Sequence, residues 1–546
     1  MPGSGRRGGR RIAPFARAVL LAVALSLAAA ACTTPPPPDE ETTGPITGPS
    51  VGPTPTGPSV LRIAITSLPA ADPRALDTPD GLFLASLIFD GLADYDHETL
   101  EAVPAAAARW QMLEGGRAFV FRLREGVQFH DGTPVRAQDF VAAWNRLADP
   151  FRPSPFAFLL ERVEGFHEYN VTLDQDHITG VVARDDRTLE VRLTEPWPDF
   201  VSLLGHPALS PVPEASAFPG YSARPVGNGP FQLAGELAPG APIALTAFPG
   251  YYGPTPGVAG LELSVYADPE AAWPDFLAGD LDVSPIPAGL VPEAEAQFGS
   301  EGVVTLARLV HCGFNLRDPR FRDPSLRRAV SLAIDRQRLV DRVYGPVAVP
   351  ADGVVPPTIP GYARGACGAL CRLDQAEAAA LVADLPARSR SFALDYASSP
   401  VGDRLARELV AQLAGVGLEV NPRAHQEREY RELLERGGQR FFCLVSVADY
   451  PRQQALLEPL MLSTSPDNHT GVEDGRLDRL LERARAARDP RVRERLYLKA
   501  ERRGLSLAPL VPLAWFRSRL AAGPDVGGLA VNPLGRFDAA ALSLEP

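Results

Sequence analysis

Lysine is almost missing from this chain: Lys499 is the only one, so nearly all of the positive charge is arginine. No arginine run is dense enough to track a phosphate backbone, and a formal net charge of −12 lacks the basic footprint that a nucleic-acid partner requires. Catalytic signatures are missing too, with no G-x-S-x-G elbow, no H-E-x-x-H pair and no Walker loop. The eight histidines, at 97, 130, 167, 177, 206, 311, 425 and 469, are scattered without ligand spacing. No enzyme is read and no resident metal or cofactor is expected, although His425 and His469 keep a nickel or metal-chelate solute open. His130-Asp131 invites a catalytic story but sits in a turn and is read as structural. Cysteine is scarce, five in 546 residues, and nothing near any of them completes a tetrahedral metal set.

Long apolar runs are also lacking. The stretch from Ala18 to Ala31 follows Arg6, Arg7, Arg10 and Arg11, is too short to span a bilayer and is bounded by small residues, as a secretory signal is. It predicts export, with residues 1–31 removed. Cys32 directly follows Ala29-Ala30-Ala31, which resembles the lipobox of bacterial lipoproteins, whose cysteine is diacylglyceryl-modified and becomes the first mature residue. The place implied is the extracytoplasmic face of the cell membrane, lipid-anchored; an ordinary signal peptide cut near Ala31 is the alternative. Residues 32–59 are rich in Pro, Gly and Thr with almost no large apolar side chain, so they cannot bury enough surface to fold and read as a semi-stiff tether.

With Cys32 lipidated, four cysteines remain in an oxidising compartment. Cys367 and Cys371 lie in GACGALC, where a small disulfide-closed loop is expected. That leaves Cys312 with Cys443, each in an apolar run that reads as a strand; two isolated buried thiols are the alternative.

The most ordered stretch is FVFRLREGVQFHDGTPVRAQDFVAAWNRLADP, residues 119–150. Phe119, Phe121 and Leu123 alternate with Val120, Arg122 and Arg124, the period of a half-buried strand. Asp131-Gly132-Thr133-Pro134 supplies a turn, and Phe140, Val141, Trp144 and Leu147 then recur at helical spacing behind Asp139. This strand, turn and helix closely resemble a signature of the peptide/nickel class, family 5, of solute-binding lipoproteins, the extracytoplasmic receptors of ABC importers. Arg136 departs from it, standing where the family often has a Ser or Thr N-cap, which should weaken the cap by about 1 kcal/mol.

Further segments carry the resemblance. "L.IFDGL..YD" ends near Asp94, and Asp94, Asp96 and Glu98, faintly like a calcium loop, read as solvated turn carboxylates. Asn145 to Pro150 with Ser154-Pro155-Phe156 looks like the oligopeptide-binding subgroup, and PVGNGPF at 225–231 resembles the family's "P.GTGPY" loop, with Asn228 at the usual Thr position. Phe314-Asn315-Leu316 and Arg327 to Arg336 follow the pattern again. Residues 392–420 read as β-α-β, which predicts parallel pairing.

The resemblance implies an α/β, two-lobed periplasmic-binding-protein fold, class II and cluster C in type, with an extra domain in the first lobe. The boundaries expected are 60–310 for lobe 1, with a small domain inserted at about 97–222, then 311–512 for lobe 2 and 513–546 for a C-terminal return to lobe 1. Phe442 to Tyr450, FCLVSVADY, is similar to the family strand that ends "W.ADYP" and faces the cleft. In oligopeptide members the Asp of that motif holds the peptide α-ammonium, which implies this role for Asp449, beside Tyr450. Ser446, Val447 and Ala448 would offer backbone pairing to an extended peptide. Ser446 replaces the usual Trp, and Glu427 falls near a position where an aromatic often walls the cleft, so the subsites are expected to be wide and polar. Asn228 joins the candidates, because two flanking glycines let backbone approach a ligand. The bland alternatives are a cap for Asp449 and a structural turn for Asn228. The partners implied are a peptide and the membrane permease of an ABC importer, with the protein a monomer. The same fold binding nickel chelate, heme or another small solute remains an alternative, as does a signalling or chaperone-like lipoprotein.

Overall fold

The alternating apolar segments assemble into two six-stranded mixed sheets and a four-stranded antiparallel one, in a computed structural model that describes residues 59–76, 78–213, 220–538 and 540–544. The expected signal segment, Cys32 and nearly all of the expected tether lie outside the described residues. In the first sheet the strand Val60–Ile65 sits between parallel neighbours, Gly260–Val265 and Val283–Pro285. Leu520–Ala522 closes one edge, so the chain's last part returns to this lobe.

The strand Ala118–Leu123 buries Phe119, Phe121 and Leu123, as its alternation requires, and pairs within the four-stranded sheet of residues 107–192. The turn that follows needs Gly132 at a positive φ of 84°, and Asp131 accepts the amide of Thr133 at 2.9 Å. The helix Ala137–Leu147 then buries Phe140, Trp144 and Leu147, with the Trp144 indole donating to the Leu209 carbonyl at 2.9 Å. Arginine has no acceptor with which to cap this helix. Asp139 supplies the return half of a capping box by accepting the Arg136 amide at 2.7 Å. His130 is structural: its ring lies 3.1 Å from the Gly229 carbonyl and accepts the Gly227 amide at 3.3 Å. Burial lowers its pKa to about 4. Asp96 caps its own turn through the amides of Glu98 and Thr99, and Asp94 is exposed beside it.

The second sheet runs, in order, Ala348–Pro350, Leu510–Arg517, Thr305–Phe314, Phe441–Val447, Ser391–Ala397 and Glu419–His425. Ser391–Ala397 and Glu419–His425 are parallel, joined through the helix Pro400–Ala414. The strands Thr305–Phe314 and Leu510–Arg517 run unbroken past the expected lobe limits at 310/311 and 512/513. Ala307 and Leu309 pack into the core of the first lobe, while Val310, Cys312 and Phe314 pack into that of the second. The first core also extends across the boundary to Leu456, Leu481 and Tyr497, on the helices Gln454–Met461, Gly475–Arg485 and Pro490–Ser506.

Two disulfides are present, Cys312–Cys443 between directly facing residues of neighbouring strands and Cys367–Cys371 within a single turn. They close loops of 131 and 4 residues, and in the loop-entropy model these constrain the unfolded chain by about 5 and about 2 kcal/mol. Replacing Cys312 and Cys443 by Ser should therefore lower denaturant stability well beyond the same change at Cys367 and Cys371; equal losses would contradict this.

Glu501 ties the loop at Val354 to the helix Pro490–Ser506, accepting the amides of Val354 and Val355 at 2.7 and 3.1 Å. It is 1% exposed, and burial pushes its carboxyl up to about 7. A carboxyl raised on folding contributes stability that is complete below the ordinary value of 4.5 and is lost as pH rises through about 7. Between pH 5 and 8 the parent should lose about 1–3 kcal/mol more than Glu501→Gln in denaturant titrations. Parallel pH profiles would contradict the assignment.

Candidate functional site

The strand Phe441–Val447 is paired along its whole length on one side and only briefly on the other. Toward Thr305–Phe314 every residue from Phe441 to Val447 has a partner. Toward Ser391–Ala397 only Phe441 and Phe442 do. Tyr430, fully buried, wedges the fork where the strands part, its hydroxyl shared between the carbonyls of Cys443 and Asp395 at 2.9 and 3.2 Å. Asp395 holds the base of the fork, accepting the Arg440 amide at 2.8 Å and contacting His425 at 2.9 Å.

In an antiparallel ladder, alternate residues direct their amide and carbonyl to the partner strand. Arg440 accepts from Asn315 and Ala448 donates to Ala307, so even-numbered residues address the partner. The backbone groups of Val445 and Val447 therefore face the other way, where no strand of the described residues pairs with them. The even-numbered side chains, Phe442, Leu444 and Ser446, share a sheet face with His311, which lies directly across from Leu444.

This face and edge line a partly open cavity of about 770 Å³ of atom-free space. Phe158 reaches it from the first lobe, and Leu456, Pro459 and Leu460 from the helix Gln454–Met461. Ser446, Val447 and Asp449, all expected at the site, line it. Asp94 and Asp449 both lie within electrostatic reach of the buried guanidinium of Arg536.

Four expected residues are placed elsewhere. Asn228 is fully buried and its amide exchanges hydrogen bonds with the Asp90 backbone, both at 3.1 Å. Gly227 and Gly229 serve the same local contact, since a Cβ on either would come within 3 Å of the Ile88 backbone. The loop thus approaches its own lobe rather than a ligand. Glu427 begins the helix Glu427–Glu435, whose Tyr430 reaches the cleft strand, and faces Arg431 at 3.7 Å, but it does not line the cavity. Ala448 gives its amide to Ala307, and Tyr450 is buried with its ring 6.1 Å from Trp197. Neither lines the cavity. His469, named with His425 for a metal-chelate solute, lies at its floor with His311 and Thr470, which were not anticipated; alternation along Thr305–Phe314 marks one face but not what that face meets.

Two buried ionic clusters join the lobes beside the cavity. Glu458 accepts from Arg485 at 2.8 Å, Arg162 at 3.0 Å and the Tyr497 hydroxyl at 3.0 Å, and Glu195 accepts from the same two arginines. Asp199 pairs with Arg452 at 3.0 Å and Arg493 at 3.1 Å, while Arg452 also reaches Glu101 at 2.9 Å. Residues 101, 162, 195 and 199 flank the four-stranded sheet, and their partners belong to the segment 452–493.

Residues 101–468 match the family described as bacterial extracellular solute-binding proteins, family 5 middle. The probable deoxycholate-binding periplasmic protein YgiS of Escherichia coli K12 is 30% identical over 480 residues, 84% of this chain and 88% of that protein. The dipeptide-binding protein DppE of Bacillus subtilis 168 is 28% identical over 494 residues, 86% of this chain and 89% of its own. Among solved structures, the unliganded open form of the murein tripeptide-binding protein MppA of E. coli superposes with a TM-score of 0.75 at 23% identity, covering 90% of this chain and 99% of that one. That likeness shows the two-lobed α/β fold.

Removing one member of a buried ion cluster leaves its partners desolvated and uncompensated, at a cost of about 3–5 kcal/mol. Glu458→Ala should lose about that much in urea titration, with Glu458→Gln intermediate; a loss below about 1 kcal/mol would show that the cluster does not hold the lobes.

Proposed function

Because the chain belongs to the family 5 bacterial extracellular solute-binding proteins, we propose that it is the lipid-anchored receptor of an ABC importer. It captures short peptides between its lobes and hands them to a membrane permease. Cys32 carries the lipid, and the receptor acts as a monomer. Its family binds and delivers solutes rather than transforming them.

The observation that carries the peptide reading is the unpaired edge at Val445 and Val447. An extended peptide lying there gains main-chain hydrogen bonds whatever its sequence. Its α-ammonium reaches Asp449, where a charge-assisted bond in a sheltered cleft is stronger than in water. Cavity walls of Phe158, Phe442, Leu444, Leu456 and Leu460 take side chains.

The same apolar walls favour a second reading, an amphipathic small molecule, as the name of the deoxycholate-binding relative suggests.

Titration calorimetry with tri-alanine and its N-acetyl form separates these. The parent should bind the free amine about 100-fold more tightly than the acetylated peptide, roughly 2–3 kcal/mol for a bond to a charged group. Asp449→Asn should erase that difference. Equal binding of both peptides to the parent would remove Asp449 from the role, and failure of every peptide beside tight binding of deoxycholate would replace the first reading with the second.

A further inference from the structure

The cavity floor carries chemistry that neither main-chain pairing nor ammonium capture uses. His311 is 1% exposed and lines the cavity, and its Nδ1 is buried without a hydrogen-bond partner. His469, 8% exposed, also lines the cavity and lies close enough to disfavour charge on His311. Burial lowers both to about 4, so both imidazoles are neutral near pH 7. Thr470 and the carboxylate of Asp467 complete the polar floor, and the walls above it are the side chains of Phe158, Phe442, Leu456 and Leu460.

A buried nitrogen without a partner costs free energy unless something that enters the cavity satisfies it. A neutral imidazole presents either a donor or a bare lone pair at that position, depending on tautomer. A hydroxyl meets both cases, because it donates and accepts. A carboxylate would meet only one, and would face the carboxylate of Asp467; an ammonium would answer Asp467 but could only donate to the imidazole.

Geometry selects the size of the group. A peptide strand on the Val445 edge lies one ladder spacing from the cleft strand, and His311 lies one spacing beyond it on the same face. The side chain must therefore cross Leu444 over a backbone-to-backbone distance of about 10 Å. Serine and threonine are too short to cross it, and phenylalanine crosses without offering a polar tip.

We propose that this floor is a specificity subsite for a hydroxyl carried on a large apolar ring body, presented by a tyrosine side chain of the solute or by a free hydroxylated ring compound. The inference rests on the cleft being the solute site, but not on the solute being a peptide.

The test is calorimetry of the full-length protein with Ala-Tyr-Ala and Ala-Ala-Tyr, their phenylalanine counterparts, and deoxycholate. At one of the two positions the tyrosine peptide should bind about tenfold more tightly than its phenylalanine counterpart, the worth of one buried hydrogen bond. His311→Phe, checked for parent-like circular dichroism, should reduce that ratio to about one, read as the ratio of the two affinities in the same variant. Tight binding of deoxycholate that falls tenfold in His311→Phe supports the subsite with a free ring as its occupant, even if no peptide binds. Peptides that bind without a tyrosine preference overturn the subsite and leave the peptide receptor standing. Binding of neither class overturns both.

Discussion

One ladder is cut short, and the cleft follows from it. A strand inside a sheet has both rows of backbone groups paired, but Phe441–Val447 loses its second neighbour after Phe442. The separation is built rather than frayed: Tyr430 fills the fork with its ring and bonds the carbonyl on each side, and Asp395 anchors the root. On the opposite side the ladder is continuous and covalently pinned by Cys312–Cys443, so the unpaired edge is presented on a rigid strand. Exposed edges invite unwanted pairing. This one is turned into a cavity roofed by the other lobe and the helix Gln454–Met461.

The interface that roofs it uses two kinds of contact. An apolar core passes from the four-stranded sheet into the helices at 454–506, which rewards approach of the lobes without fixing their register. The clusters around Glu458 and Asp199 fix it, because every buried charge there is matched by charges from across the boundary. Such clusters are weak sources of net stability, and their value lies in penalising any other alignment. The proposed placing of one end of a solute at Asp449 and of a side chain near His311 depends on that alignment.

Much of this was legible in the sequence wherever a local pattern carried the information. The strand, turn and helix from Ala118 to Leu147, the parallel pair around the helix Pro400–Ala414 and the cavity position of Ser446, Val447 and Asp449 all follow from alternation, turn chemistry and motif. Position within a motif did not reveal which way a neighbour faces. Asn228 and Tyr450 lie in or beside recognisable motifs yet are consumed by packing, and Glu427 faces Arg431 outside the cavity lining. The ionic clusters and the His311 floor were illegible for a different reason. Arg485 meets Glu195 across 290 residues, and His311 gains meaning only from a face shared with Leu444, a tertiary fact.

The most direct test of the account is amide hydrogen exchange resolved to single residues, with and without a saturating solute. Val445 and Val447 should exchange readily in the empty protein and become protected when a tripeptide is bound, while Leu444 and Ser446 stay protected throughout. Full protection of Val445 and Val447 without solute, or no change at either on saturation with a peptide that calorimetry shows to be bound, would contradict the claim that the solute completes the sheet.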